Sequence, residues 1–199
     1  ELWNNFGMPG FRELYERAEK NPSIKTKKTI NARELFMLFS KERFETGRLY
    51  VFNADHVNSH GTWTEQVDTT NLCVEVTHPL KPIYHVDDPE GEIGVCILAA
   101  VNLLEIKDDT DAKQVCDIIV RMLDELIDHQ NYFAPAAANF AKKRRSLGIG
   151  ITNLAAVFAR EGVKYWDKKA PNVASRLMEQ ISYYLLDASA ELASEKGAC

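Results

Sequence analysis

The chain has 199 residues, 45% of them hydrophobic and 27% charged, a composition that excludes wholesale disorder and collagen-like order. Its net charge of -5 and pI near 5.6 argue against a duplex-binding surface, so no direct nucleic-acid partner is expected. No apolar run approaches the roughly 18 residues of a membrane helix, and no basic n-region precedes an apolar stretch, so a cytoplasmic protein without a membrane partner is expected.

The spacing of Phe11, Leu14, Tyr15 and Ala18 predicts a first helix over 10–20, stopped by Asn21-Pro22. A second is predicted over 32–45, with Asn31 as N-cap, Glu34 as its reciprocal partner, and Leu35, Phe36, Leu38 and Phe39 on the buried side. After Gly47, the β-branched and aromatic run from Arg48 to Asn53 predicts a buried strand. From Ala54 to Glu92 no 3.6-residue period is sustained, yet the apolar piece Leu72-Cys73-Val74-Glu75-Val76 lies within it. A loop of that length inside a compact chain is a place to look for chemistry.

Ile93 to Leu98 reads as a fully buried strand of a parallel sheet. Val115, Ile118, Ile119, Met122, Leu123 and Leu126 predict one helix stripe, with Asp108 to Asp111 suiting the helix N-terminus. Residues 130–145 read as a connection containing Pro135 and the basic run Lys142-Lys143-Arg144-Arg145, expected to be a solvated face. Leu147 to Ile151 reads as a further strand, followed by a helix over 153–160. The last helix, about 170–195, places Val173, Leu177, Ile181, Tyr184, Ala188 and Leu192 on one face, with Gly197 as C-cap. Strands alternating with helices imply an α/β fold on a parallel sheet.

If residues 69–76 are extended, the two-residue period puts Asn71, Cys73 and Glu75 on one face and Leu72, Val74 and Val76 on the other. The plain alternative is an edge strand with a polar side. His56, His60 and Cys73 can be written as a metal site, but their separations match no zinc pattern. Gly148-x-Gly150 lacks the full phosphate-binding fingerprint and reads as helix–strand packing. Cys116, on the stripe side of its helix, reads as core.

The order of several segments carries a resemblance. Asn71-Leu72-Cys73-Val74-Glu75, then Gly91-Glu92-Ile93-Gly94-Val95-Cys96 and Asn102-Leu103, resembles the catalytic core of the class I ribonucleotide reductase large subunit. Gly47-Arg48-Leu49-Tyr50, Asn53-Ala54-Asp55-His56, Arg144-Arg145-Ser146-Leu147-Gly148-Ile149-Gly150 and Tyr183-Tyr184-Leu185-Leu186 extend it over essentially the whole chain. The resemblance implies a fragment of the ten-stranded α/β barrel of ribonucleotide reductases. Residues 1–199 would be one partial domain, with the finger loop of that barrel within about 54–92 and barrel strands near 48–53, 93–98 and 147–151.

It also implies roles. Cys73 matches the cysteine that becomes a transient thiyl radical and takes the 3′ hydrogen of a ribonucleoside diphosphate. Glu75 matches the general base on the 3′ hydroxyl, and Asn71 the amide that hydrogen-bonds substrate hydroxyls. Asn71, Cys73 and Glu75 are therefore the expected substrate contacts. Cys96 matches one of two redox-active cysteines that supply electrons and end as a disulfide; the other would come from an earlier barrel strand, and neither Cys116 nor Cys199 matches it. No cofactor bound by the fragment itself is expected. The implied partners are the remaining large-subunit segments, a second large subunit, a metal-containing small subunit that generates the radical, and a dithiol reductant such as thioredoxin or glutaredoxin. Two other readings stand beside this one: a non-catalytic scaffold piece of the same assembly, and a metal-binding domain using His56, His60 and Cys73.

Overall fold

A computed structural model describes residues 2, 5 and 8–199. It divides into two compact units, one running through Tyr84 and including Gly91–Gly94, the other formed by His85–Glu90 and Val95–Cys199.

The first unit holds α1 (Phe11–Lys20), α2 (Ala32–Thr46) and α3 (Ala54–His60). Asn31 caps α2 as expected: its side-chain oxygen accepts from the backbone N–H of Arg33 at 2.9 Å and of Glu34 at 3.3 Å. Gly47 ends the helix in the left-handed region at φ 65°, where a side chain would be strained. The expected buried side of α2 is not buried: Leu35, Phe36 and Leu38 are all more than half exposed. The physical reason lies in their angular spread. With Met37 and Phe44 they occupy every side of the helix, and no single neighbour can cover such a surface.

Residues 48–53 form no strand. β-propensity describes fit to a pleated surface and creates no ladder without a partner. One carbonyl of that stretch, Leu49, instead accepts from the Arg43 guanidinium at 2.7 Å. The following seven residues form α3, in a stretch expected to be irregular; the helix is short and polar and carries almost no periodic signal. Its Asn58 is the local organiser. The Asn58 amide donates to Ala54 O at 2.7 Å and Val67 O at 2.9 Å, and accepts from Val67 N–H at 2.8 Å. Both backbone groups of the buried Val67 are thereby satisfied by one side chain.

The second unit is an α/β layer. Strands β1 (Ile97–Asn102) and β2 (Leu147–Thr152) pair in parallel, Ile97 opposite Leu147 through Asn102 opposite Thr152. The strand expected at 93–98 is thus displaced toward the C-terminus, and it is not buried on both faces. Ile97 and Val101 point into the core while Leu98 and Ala100 are exposed. A run of continuous apolar residues fixes neither the ends of a strand nor the covering of its second face.

Between the strands run α4 (Asp109–His129) and α5 (Pro135–Arg144), and after them α6 (Leu154–Arg160) and α7 (Ala170–Lys196). Asp108 caps α4 through the N–H of Asp111 at 3.0 Å. The buried face of α4 is Ala112, Cys116, Val120, Leu123 and Ile127. Of the expected stripe, Leu123 is buried, Ile119 packs beside it and Val115 packs against the cluster around Cys116, but Ile118, Met122 and Leu126 are about half exposed. The helix is apolar over a wider arc than this unit covers. The core seam runs from Val101 and Leu103 through Cys116 to Val157 and Ile181, and Cys116 is fully buried as read. On α7, Ile181, Ala188 and Leu192 are buried on the expected face.

The stretch read as a connection contains α5, opened by Pro135, whose missing N–H is no loss in a first helical turn. The glycines of β2 do not serve helix packing. Leu147, Ile149 and Ile151 face the helices, while a Cβ on Gly148 would lie 2.6 Å from Cδ2 of Leu98 on the neighbouring strand.

Candidate active-site loop

Asn71, Cys73 and Glu75 lie in the first unit on a turn, not on a strand. The N–H of Val74 donates to Asn71 O at 3.2 Å, closing a four-residue turn over Leu72 and Cys73. The expected two-residue alternation over 69–76 is therefore overturned. The physical reason is in the residues flanking the tip: Thr and Asn side chains bond locally to backbone and compete with a ladder.

Two side chains hold the base of this turn. Asn71 Oδ1 accepts from Val76 N–H at 3.0 Å. The hydroxyl of Thr70 donates to Val76 O at 2.7 Å and lies 3.3 Å from Asn71 Oδ1. One residue further, the indole N–H of Trp63 donates to Thr77 O at 2.9 Å, and its ring sits 4.6 Å from that of His78. Within the clasped turn, Val74 has φ 68°. A β-branched residue there is a conformational outlier, disfavoured by about 1–2 kcal/mol, and such strain persists only where the surroundings over-determine it.

The tip is presented outward. Leu72 is 87% exposed, and Cys73 and Glu75 are exposed beside it. A thiol and a carboxylate two residues apart on a hydrogen-bonded turn can serve as a hydrogen-atom or proton relay toward a ligand, with carboxylate as base. Cys96 belongs to the second unit and precedes β1 by one residue. It is exposed, which corrects the expectation of a buried strand position.

The metal alternative finds no support. No group of three or more His, Cys, Asp or Glu is arranged to hold a metal ion among the described residues. His60 Nδ1 instead faces Ser59 Oγ at 2.9 Å and His56 O at 3.1 Å.

The basic run proves to be more than a solvated face. Arg145, in the left-handed region at φ 46°, donates through Nε to Asp124 Oδ1 at 2.6 Å and through Nη2 to Asp124 O at 2.9 Å. It also donates to both oxygens of Asp128, at 3.1 and 2.8 Å. Lys196 reaches Asp124 Oδ2 at 3.0 Å and pairs with Glu125. Hydrogen bonds from Arg145 hold the Asp124 carboxyl below the usual carboxylate range against the opposing effect of burial. This network ties α4 to the C-cap of α5 and to the end of α7. The signal available in the sequence was Asp124 and Asp128 at i, i+4 on one helix; for the loop it was the Thr-Thr-Asn run before the tip.

All 199 residues match the family model described as ribonucleotide reductase, barrel domain. The chain is 46% identical over 192 residues to the ribonucleoside-diphosphate reductase subunit alpha of Buchnera aphidicola subsp. Schizaphis graminum, covering 95% of this chain and 25% of that protein. It is 44% identical over 192 residues to ribonucleoside-diphosphate reductase 1 subunit alpha of Escherichia coli, again 95% of this chain and 25% of that one. The chain thus spans about a quarter of the length of these relatives. Among solved structures, the Actinobacillus ureae class Id ribonucleotide reductase alpha subunit superposes with a TM-score of 0.63 at 23% identity, over 93% of this chain and 34% of that one. At that identity the likeness is one of fold.

Proposed function

The chain belongs to the ribonucleotide reductase barrel-domain family, and from that premise we propose that it is the part of a catalytic large subunit that carries the radical cysteine. On this reading the full protein reduces ribonucleoside diphosphates to deoxyribonucleoside diphosphates. The observation that carries it is the clasped turn, with its exposed thiol and carboxylate at Cys73 and Glu75, in a chain that matches the family along its whole length.

A thiyl radical at Cys73 takes the hydrogen from the ribose 3′ carbon and becomes a thiol. Glu75 takes the proton of the 3′ hydroxyl, and Asn71 hydrogen-bonds the substrate hydroxyls. Replacing the 2′ C–OH by a C–H consumes two electrons and two protons and releases water. Cys96 and a second cysteine, from large-subunit residues outside this sequence, supply both and end as a disulfide. The Cys73 thiol then returns its hydrogen to the 3′ carbon and is a thiyl radical again. The unpaired electron comes from a separate metal-containing small subunit, and thioredoxin or glutaredoxin restores the dithiol. A second large subunit completes the assembly. The positive support from the fold is physical: a radical sulfur must be held at a fixed point, and the turn bearing Cys73 is tied at both ends.

The test is disulfide mapping. After turnover of the assembled enzyme without dithiol reductant, mass spectrometry should find Cys96 linked to a cysteine outside residues 1–199. Product formation with Cys96 still a thiol, or linked to Cys116, overturns the assignment.

A further inference from the structure

Resting on the assignment of Cys73 and Glu75 made above, we infer that Thr70 is a positioning residue for the reaction: its hydroxyl, with the Asn71 amide, clamps both backbone groups of Val76 and so fixes where the radical thiol and the base stand.

The loop from Asn71 to Val76 has two limbs. On the first, Thr70 and Asn71 project their side chains across to the second. On the second, a single peptide residue receives both. Val76 N–H donates to Asn71 Oδ1 at 3.0 Å, and Val76 O accepts from the Thr70 hydroxyl at 2.7 Å. A hydroxyl has one proton, and at 2.7 Å the Val76 carbonyl is the nearer of its two acceptors; the Asn71 oxygen lies at 3.3 Å. The pattern imitates a pair of ladder hydrogen bonds, made by side chains where no second strand is present. Cys73 and Glu75 both ride between these anchor points.

The loop needs such an anchor. Val74, immediately between the thiol and the carboxylate, is held at φ 68°, a conformation a β-branched residue leaves when its surroundings allow. Relaxation of Val74 to the extended region would swing Cys73 and Glu75 apart, because the two side chains depend on the dihedrals of the residue between them. The clasp at Val76 opposes that relaxation. Thr70 itself is partly buried and stands before the tip; it acts through the loop. The Trp63 hydrogen bond to Thr77 O, at 2.9 Å, holds the chain just beyond the clasp, so freedom gained by losing Thr70 would be confined to the tip.

The experiment uses the full-length large subunit assembled with its radical-generating partner. Thr70→Val keeps the β-branched shape and removes the hydroxyl; Thr70→Ser keeps the hydroxyl. Thr70→Val should lower kcat about tenfold or more, the equivalent of about 1.4 kcal/mol, with KM and Tm little changed. Thr70→Ser should stay within about twofold of the unaltered enzyme, since it can still donate to Val76 O. A residue that merely stabilised the fold would shift Tm and leave kcat alone. Full kcat in Thr70→Val overturns the inference, as does a Thr70→Ser variant as slow as Thr70→Val. Hydrogen exchange on the unaltered protein reads the clasp itself: the Val76 amide, held by Asn71, should be protected, and exchange at the rate of an open loop overturns the clasp that Thr70 is inferred to complete. A Cys73→Ser control separates the two levels of the reading. Retained reduction there removes the catalytic assignment itself, whereas an inactive Cys73→Ser beside a fully active Thr70→Val removes the clasp alone.

Discussion

Arg145→Met is the sharpest perturbation of the second unit. The substitution keeps the length of the side chain and deletes all of its hydrogen bonds to Asp124 and Asp128. Asp124, whose side chain is only 10% exposed, is then left charged beside a single remaining cation. Removing one partner of a buried pair destabilises by about 3–5 kcal/mol, because the other charge stays buried without compensation. The Asp128 arm is half exposed and adds little, and the surviving ammonium partner softens the loss. A loss of about 2–4 kcal/mol is expected, which is about 30- to 900-fold in an opening equilibrium. Hydrogen exchange in β2 and in the last turn of α4 reads that equilibrium locally within the full-length protein. The double variant Asp124→Asn with Arg145→Met should recover much of the protection, since no unpaired charge remains. Exchange within about threefold of the unaltered protein in Arg145→Met would refute the reasoning, and so would a double variant as exposed as the single one.

Two further outcomes follow from the same unit. Hydrogen bonding from Arg145 lowers the Asp124 pKa in the folded state, so its contribution to stability is present above the unfolded carboxylate value of about 4 and is lost as pH falls through the lower folded value; acid unfolding should show this dependence, and Asp124→Asn should abolish it. Burial pushes the Cys116 thiol up, and that thiol is fully enclosed, so native alkylation at mildly alkaline pH should modify Cys73 and Cys199 quickly and Cys116 only on unfolding. Rapid native labelling of Cys116 would contradict the core seam on which β1, α4 and α7 meet.

What could be read before the structure depended on how local the controlling physics is. The Asn31 cap, the acidic start of α4, the buried Cys116 and the long face of α7 are set by side chains within a few residues or by a sustained 3.6-residue period, and the structure has each of them. The apolar side of α2 and the Ile118, Met122 and Leu126 row of α4 were read as core and are exposed, because a sequence states which residues avoid water and not which surface covers them. The failed strand at 48–53 has the same origin: pairing is a property of two segments. At the loop, the sequence names Asn71, Cys73 and Glu75 as candidates but sets them on a strand that the structure does not form. Alternation suggested a strand face, whereas Thr70 and Asn71 turn the chain with their own side chains. The partners of Arg145 are not legible in the basic run because Asp124 lies 21 residues away on another helix.

The central claim is that the Cys73 sulfur does the chemistry, and one measurement addresses it most directly. The full-length protein with Cys73→Ser, assembled with the radical-generating subunit that the proposed function requires, is assayed for reduction of a ribonucleoside diphosphate, with its melting temperature recorded alongside. A serine at this exposed turn preserves size and local hydrogen bonding, but its O–H bond is too strong to be formed and re-broken as the thiol does. The expected result is no detectable reduction at an unchanged melting temperature. Reduction at the rate of the unaltered enzyme would contradict the account.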